Sequence, residues 1–249
     1  MSLPDLALQI VYGRLAWALV VAAMLLALLP ALAPALFSSF VSRLTPNPAA
    51  DGARRSTAVV VGASVLLMAL PGAASPAYWI ALVCQYPSGL MTGCALVSLA
   101  ARWRGRPADF VMPAGLALPL AAAGLLLYLE AFGVLALGLY AGGFGPAAAP
   151  LLACAAAIAC AVAIARGVAT GVAAALLAAV LLFSLLRLPS GNLWDALLDP
   201  LLWSWALGSA VVALRRQRAA RGAVQLAPQT ASDDPGMEEP EFAHASGNE

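Results

Sequence analysis

Residues 15–37 read LAWALVVAAMLLALLPALAPALF, with no charged side chain among them. A helix needs about 20 such residues to cross a hydrocarbon core about 30 Å thick, at a rise of 1.5 Å each. The stretch therefore reads as a membrane-spanning helix, kinked in its second half by Pro30 and Pro34. A cleaved signal peptide is the alternative, because Ala31-Leu32-Ala33 resembles a cleavage site. Against it, Pro34 would occupy the position after the cut, and the apolar run continues to Phe37.

Further apolar stretches follow along the chain. Thr57–Ala74 is the weakest, cut short by Pro71-Gly72, and Ala77–Ala101 is interrupted by Pro87-Ser88-Gly89. Phe110–Leu129 carries Pro113 and Pro119; Ala147–Ala165, Val168–Leu186 and Leu193–Leu214 complete the set. Composition agrees. The 249 residues are 63% hydrophobic and 10% charged, with a mean hydropathy of +0.90. Soluble domains are about 45–50% apolar and about 25% charged, and so little charge cannot cover a soluble fold. The expected class is an all-α, polytopic helical membrane protein with about seven transmembrane helices.

Arginine placement orients it, since cytoplasmic loops carry the excess of basic residues. Arg43, Arg54 and Arg55 follow the first stretch, Arg102, Arg104 and Arg106 the third, Arg166 the fifth, and Arg215, Arg216, Arg218 and Arg221 the seventh. Seven spans with the N-terminus outside put all of these in the cytoplasm and leave only Arg14 and Arg187 outside. A six-span arrangement without Thr57–Ala74 separates Arg54 from Arg102, so the weak stretch is kept. Every basic residue is Arg, which with abundant Ala, Leu and Gly points to a GC-rich bacterial genome and the inner (cytoplasmic) membrane. Residues 1–13 read as an external arm, 14–221 as the membrane domain, and 222–249 as an acidic, disordered cytoplasmic tail. The net charge of +1 carries no sign of nucleic-acid binding.

Residues 130–146, EAFGVLALGLYAGGFGP, are apolar but broken by glycines. Two readings stand: a re-entrant segment, which needs surrounding protein or a water-filled cavity, and a hydrophobic loop lying on the bundle. Gly89 and Gly93, Gly138 and Gly142, and Gly167 and Gly171 share the four-residue spacing of close helix packing. Cys84, Cys94, Cys154 and Cys160 lie in apolar stretches and read as packing residues. The only histidine, His244, is in the tail, so neither a His-ligated haem nor any other cofactor or metal is expected within the membrane.

Ionisable groups inside spans mark function by default, and they are nearly absent here. The exception is Ser190–Trp205, SGNLWDALLDPLLWSW. Asp195 and Asp199 are four apart, which puts them on one helical face with Asp199 about 6 Å deeper. Arg187, Asn192 and Glu130 belong to the same external side, and together they suggest a pocket for a cation, a sugar or a lipid head group. The plainer alternative is structural. Asn192 is a good N-cap, Asp195 stands where a capping box places its acid, and Trp194 suits an interfacial aromatic belt. Gln85, Tyr86, Ser88 and Thr92 form a second polar cluster at the proline–glycine break, and Asp109 reads as an N-cap. P-loop, GxSxG and HExxH motifs are missing from the chain. A non-enzymatic subunit or accessory component of a membrane system, with the bilayer and other membrane subunits as its partners, is the leading expectation. The alternatives are a small-solute transporter or channel-like protein, and a membrane-embedded enzyme that acts on a lipid-linked substrate with external carboxylates.

Overall fold

In the computed structural model, residues 5–44, 48–106 and 112–226 are described. Asp109, His244 and nearly all of the acidic tail lie outside them. The described chain is helical throughout, 81% by residue, with no strand. The helices are α1 (Leu6–Leu32), α2 (Pro34–Leu44), α3 (Pro48–Ala69), α4 (Pro76–Val83), α5 (Gly89–Trp103) and α6 (Ala114–Ala131). They continue with α7 (Leu139–Gly142), α8 (Ala148–Ala165), α9 (Thr170–Leu186), α10 (Leu193–Leu197) and α11 (Pro200–Leu226). The chain divides into two units, Met1–Val211 and Val212–Glu249. The described part of the second is the basic stretch 212–226.

Proline explains where several helices begin. Pro34, Pro48, Pro76 and Pro200 each occupy a first helical position, where the missing N–H costs nothing and the fixed φ suits the helix. Pro34 thus starts a new helix after Ala33 leaves the helical region, where a kink inside one span was expected. Upstream, α1 begins at Leu6, capped by the Asp5 carboxylate on the N–H of Ala7 (2.7 Å), so most of the expected arm is helix. The third stretch divides at Pro87 into α4 and α5, and Ser88 caps α5 by accepting the N–H of Met91 (3.1 Å).

Among the described residues, two helices, α1 and α6, are long and apolar enough to cross a membrane. Most of the other stretches miss that measure for visible reasons. Asp51, Arg54 and Arg55 open α3, the third and seventh stretches are each broken, and α9 has 17 residues.

Within the first unit, α5 packs on α9, α9 on α8, and α1 on α3 and α5. The α5–α9 seam is a small-residue contact. A Cβ on Gly93 would lie 2.5 Å from the Ala175 carbonyl oxygen, and one on Gly89 would lie 3.1 Å from the Ala179 Cα. Gly138 and Gly167, by contrast, adopt positive φ in turns and face open space.

Polarity is distributed against the soluble pattern. Large apolar side chains are exposed on helix after helix: Leu66 on α3, Leu82 and Val83 on α4, Leu151 and Ile158 on α8, and Leu185 on α9 are each 66% exposed or more. Asn192, Asp199, Ser88 and Thr92 are buried. Soluble monomers rarely expose contiguous apolar surface beyond a few hundred Å².

Candidate functional site

Asp199 stands between two interrupted helices. Leu198 is extended and ends α10. Pro200 then starts α11, and a residue before proline is disfavoured in the helical region. Asp195 and Asp199 therefore do not share a continuous helical face, and the four-residue spacing loses its meaning at the break. Asp199 is 7% exposed. Its Oδ1 accepts the N–H of Leu202 (2.7 Å), the N-cap bond of α11. Its Oδ2 accepts the N–H of Ser88 (2.7 Å), the residue that caps α5. One carboxylate thus closes the N-termini of two helices, where the helix dipoles favour negative charge.

Beneath it, Tyr12 of α1 donates to the Pro87 carbonyl (2.8 Å) and meets the Thr92 hydroxyl at 3.3 Å. Thr92 Oγ1 also reaches the Ser88 carbonyl (3.0 Å). Ser88 and Thr92 of the second polar cluster therefore join Asp199. Gln85 is exposed and takes no part in these bonds, and the Tyr86 ring covers Gly13 of α1.

Asp195, Asn192 and Glu130 tie down the 139–143 segment. Asn192 caps α10 through the N–H of Trp194 (3.0 Å), and its amide donates to the Tyr140 carbonyl (3.3 Å). Asp195 binds the hydroxyls of Tyr140 (3.1 Å) and Ser190. The Asn192 N–H goes to Ser190 Oγ (3.3 Å), so the capping-box contact runs through a serine. Glu130 Oε2 accepts the N–H groups of Leu139 (3.0 Å) and Tyr140 (3.2 Å), closing the start of α7. Trp194 Nε1 donates to the Leu139 carbonyl (2.7 Å). Gly143 fits closely under this cluster, since a Cβ there would overlap Asn192 Oδ1. Burial, then the charge and hydrogen bond of Asp195, holds the Tyr140 phenol above its ordinary value; a contact with Asn192 opposes the shift.

Arg187 stands apart from the carboxylates. It ends α9 in a left-handed conformation, with its guanidinium over the Phe183 ring at 5.1 Å and Nη1 buried without a hydrogen-bond partner. The six predicted site residues thus separate. Asp195, Asn192 and Glu130 share one network, Asp199 belongs to another, and Arg187 and Gln85 belong to neither. Tyr140, Ser190 and Tyr12 were not singled out in the sequence. For the two tyrosines a hydroxyl in an apolar segment is the one available signal, and their partners lie 55 and 75 residues away; Ser190 meets Asp195 only five residues on. Among the described residues, no group of three or more His, Cys, Asp or Glu side chains is placed to hold a metal ion.

The chain matches no family model, no curated protein and no solved structure.

Proposed function

We propose that this chain is a multi-pass protein of the inner membrane, with seven crossings, the N-terminus outside and the C-terminus in the cytoplasm. In this assignment α1, α3, the broken pair α4–α5, α6, α8, α9 and the broken pair α10–α11 are the crossings. Its role is that of a non-enzymatic subunit or accessory component of a larger membrane system. The observation that carries the role is the use of the buried carboxylate: both oxygens of Asp199 are bonded to backbone N–H groups of the protein's own helices. Asp195 and Glu130 are likewise bonded within the protein. A general acid or nucleophile must instead reach a substrate atom. The apolar exterior supports the membrane setting.

Topology is tested in a cysteine-free background with a membrane-impermeant maleimide. Ala136→Cys should label in intact cells, and Arg104→Cys only after permeabilisation. The reverse pattern overturns the orientation. The subunit role is tested by solubilising the membrane in mild detergent and sizing the tagged protein. Migration within a larger assembly is expected; a stable monomer whose melting responds to a small solute counts against it.

A second role, small-solute transport, draws on one observation. Two interrupted helices meet at Asp199, and broken helices at mid-membrane are how many transporters build their sites. It requires water access at the α4–α5 break, so failure of Gln85→Cys and Ser88→Cys to react with soluble maleimide removes it.

A further inference from the structure

An apolar groove of about 320 Å³ runs between α1, α3 and α5, open to the surroundings. Leu19 of α1, Thr57 and Val61 of α3, and Leu96, Leu99 and Trp103 of α5 line it. Its walls offer almost nothing to a polar ligand. The Thr57 hydroxyl already donates to the Ala53 carbonyl of its own helix (2.7 Å). A flexible hydrocarbon chain suits such a surface, since burying apolar area is the only interaction it provides.

The Trp103 end of the groove is strongly basic. Arg54, one turn before Thr57, donates from Nε to the Trp103 carbonyl (3.3 Å), which fixes a guanidinium at the groove's mouth. Arg102 is half-buried, with its guanidinium 5.8 Å from the Phe37 ring centroid of α2. Arg55 reaches the Leu44 carbonyl (3.4 Å), and Arg104 is exposed just after α5. Asp51 is the one acidic side chain within α1, α2, α3 and α5, and none of these guanidinium groups is paired with a carboxylate among the described residues. Held cations at one end of a slot that accepts only hydrocarbon make the complement of an anionic lipid. Its phosphate takes the arginines, for which guanidinium geometry is well suited, and one acyl chain takes the slot.

We propose that this groove binds one anionic phospholipid of the cytoplasmic leaflet, with its head group at Arg54 and Arg102 and an acyl chain between α1, α3 and α5. The proposal rests on the membrane orientation above, which puts these arginines at the cytoplasmic surface, where basic pockets between helices take anionic head groups.

Native mass spectrometry of the full chain, delipidated in mild detergent and titrated with phosphatidylglycerol or phosphatidylcholine of equal chain length, tests it. One phosphatidylglycerol should bind in preference to phosphatidylcholine. Each arginine near the surface contributes about fivefold, so Arg54→Gln with Arg102→Gln should weaken phosphatidylglycerol about 25-fold and phosphatidylcholine, whose choline offsets its phosphate, by much less. Ala100→Trp, which fills the groove from one of its two lining alanines (Ala58 is the other), should weaken both lipids. Ala58→Leu serves in its place where the thermal midpoint shows that Ala100→Trp fails to fold. Inorganic phosphate at millimolar concentration should not displace the lipid; full displacement means that the head group alone binds, and the groove has no part. Equal retention of the two lipids by the wild type, or an unchanged double variant, overturns the site. Recovery of the chain outside the membrane fraction would instead overturn the membrane assignment, and the two failures are separable.

Discussion

Replacing Asp199 with alanine removes two acceptors at once, one at each of two helix starts. The Leu202 N–H loses its N-cap partner, a loss of about 1 kcal/mol in typical cases. The Ser88 N–H is left in an interior where the residue is 0% exposed, and a stranded buried donor costs about 1–3 kcal/mol. Together these predict about 2–4 kcal/mol of lost stability for Asp199→Ala. Asp199→Asn separates the two contributions. Its single carbonyl oxygen can serve one N–H, while its NH2 group faces the other, donor against donor. The expected loss is about 1–3 kcal/mol, with one helix still capped. Ser88→Ala is the control: it removes the cap on Met91 but keeps the Ser88 backbone N–H on Asp199, at a cost of about 1 kcal/mol.

The measurement is equilibrium unfolding in mixed micelles, followed by tryptophan fluorescence, with wild type and all three variants side by side. The order of stability should be wild type, then Ser88→Ala and Asp199→Asn, then Asp199→Ala. A value for Asp199→Ala within about 0.5 kcal/mol of wild type, the range of an inconsequential surface change, refutes the double cap.

Gly93→Ala should destabilise by about 1–3 kcal/mol, because its Cβ meets the Ala175 backbone at 2.5–3.0 Å and helices cannot yield as a side-chain tip can. Gly142→Ala, whose Cβ meets open space, should leave the thermal midpoint within a degree or two and serves as its partner in the same melting experiment. Asn192→Ala should cost about 1–2 kcal/mol and free the 139–143 segment, read as faster amide exchange at Leu193, whose N–H is bonded to the Gly143 carbonyl (3.1 Å). Tyr140 should ionise above the ordinary tyrosine value of about 10. Its folded value is raised, so its contribution to stability is intact below pH of about 10 and is lost as pH rises through the higher folded value. Phenolate absorbance of wild type against Tyr140→Phe, and against Asp195→Asn, which should lower the value, checks this.

The helical content was legible because apolar runs of helical length carry it directly. The breaks were legible only in part. Pro87 announces the end of α4, since proline lacks the N–H and biases the residue before it. Pro200 carries the same signal, yet the four-residue spacing of Asp195 and Asp199 suggests a shared face that exists only on an unbroken helix. The equal spacing of three glycine pairs shows a second limit. Gly89 and Gly93 face Ala175 and Ala179, whereas Gly138 and Gly167 serve turns at positive φ. What separates them is the surface opposite, which local spacing does not contain. Tyr140 on Asp195 and Ser88 on Asp199 are pairings across 55 and 111 positions, beyond any periodicity.

These pairings concentrate on one segment, and the setting makes that concentration matter. Asp199 fastens residues 190–205 to the α4–α5 break, Asn192 and Trp194 fasten them to 139–143, and Trp203 donates to the Ala121 carbonyl of α6 (3.1 Å) with its indole seated over Gly124. Between helices that lie in lipid, apolar surface gains little by association, because the tails are as apolar as leucine; close packing and hydrogen bonds then decide which helices meet. In the membrane setting proposed above, the exposed Leu and Ile of this protein therefore do not select its arrangement. The buried polar residues do, together with the glycines that admit close contact. An arrangement set by so few bonds has an uneven response to substitution: exchanging Leu151 or Leu185 for another apolar residue should be tolerated, whereas a change at Asp199, Asn192 or Gly124 removes a contact that hydrocarbon cannot replace.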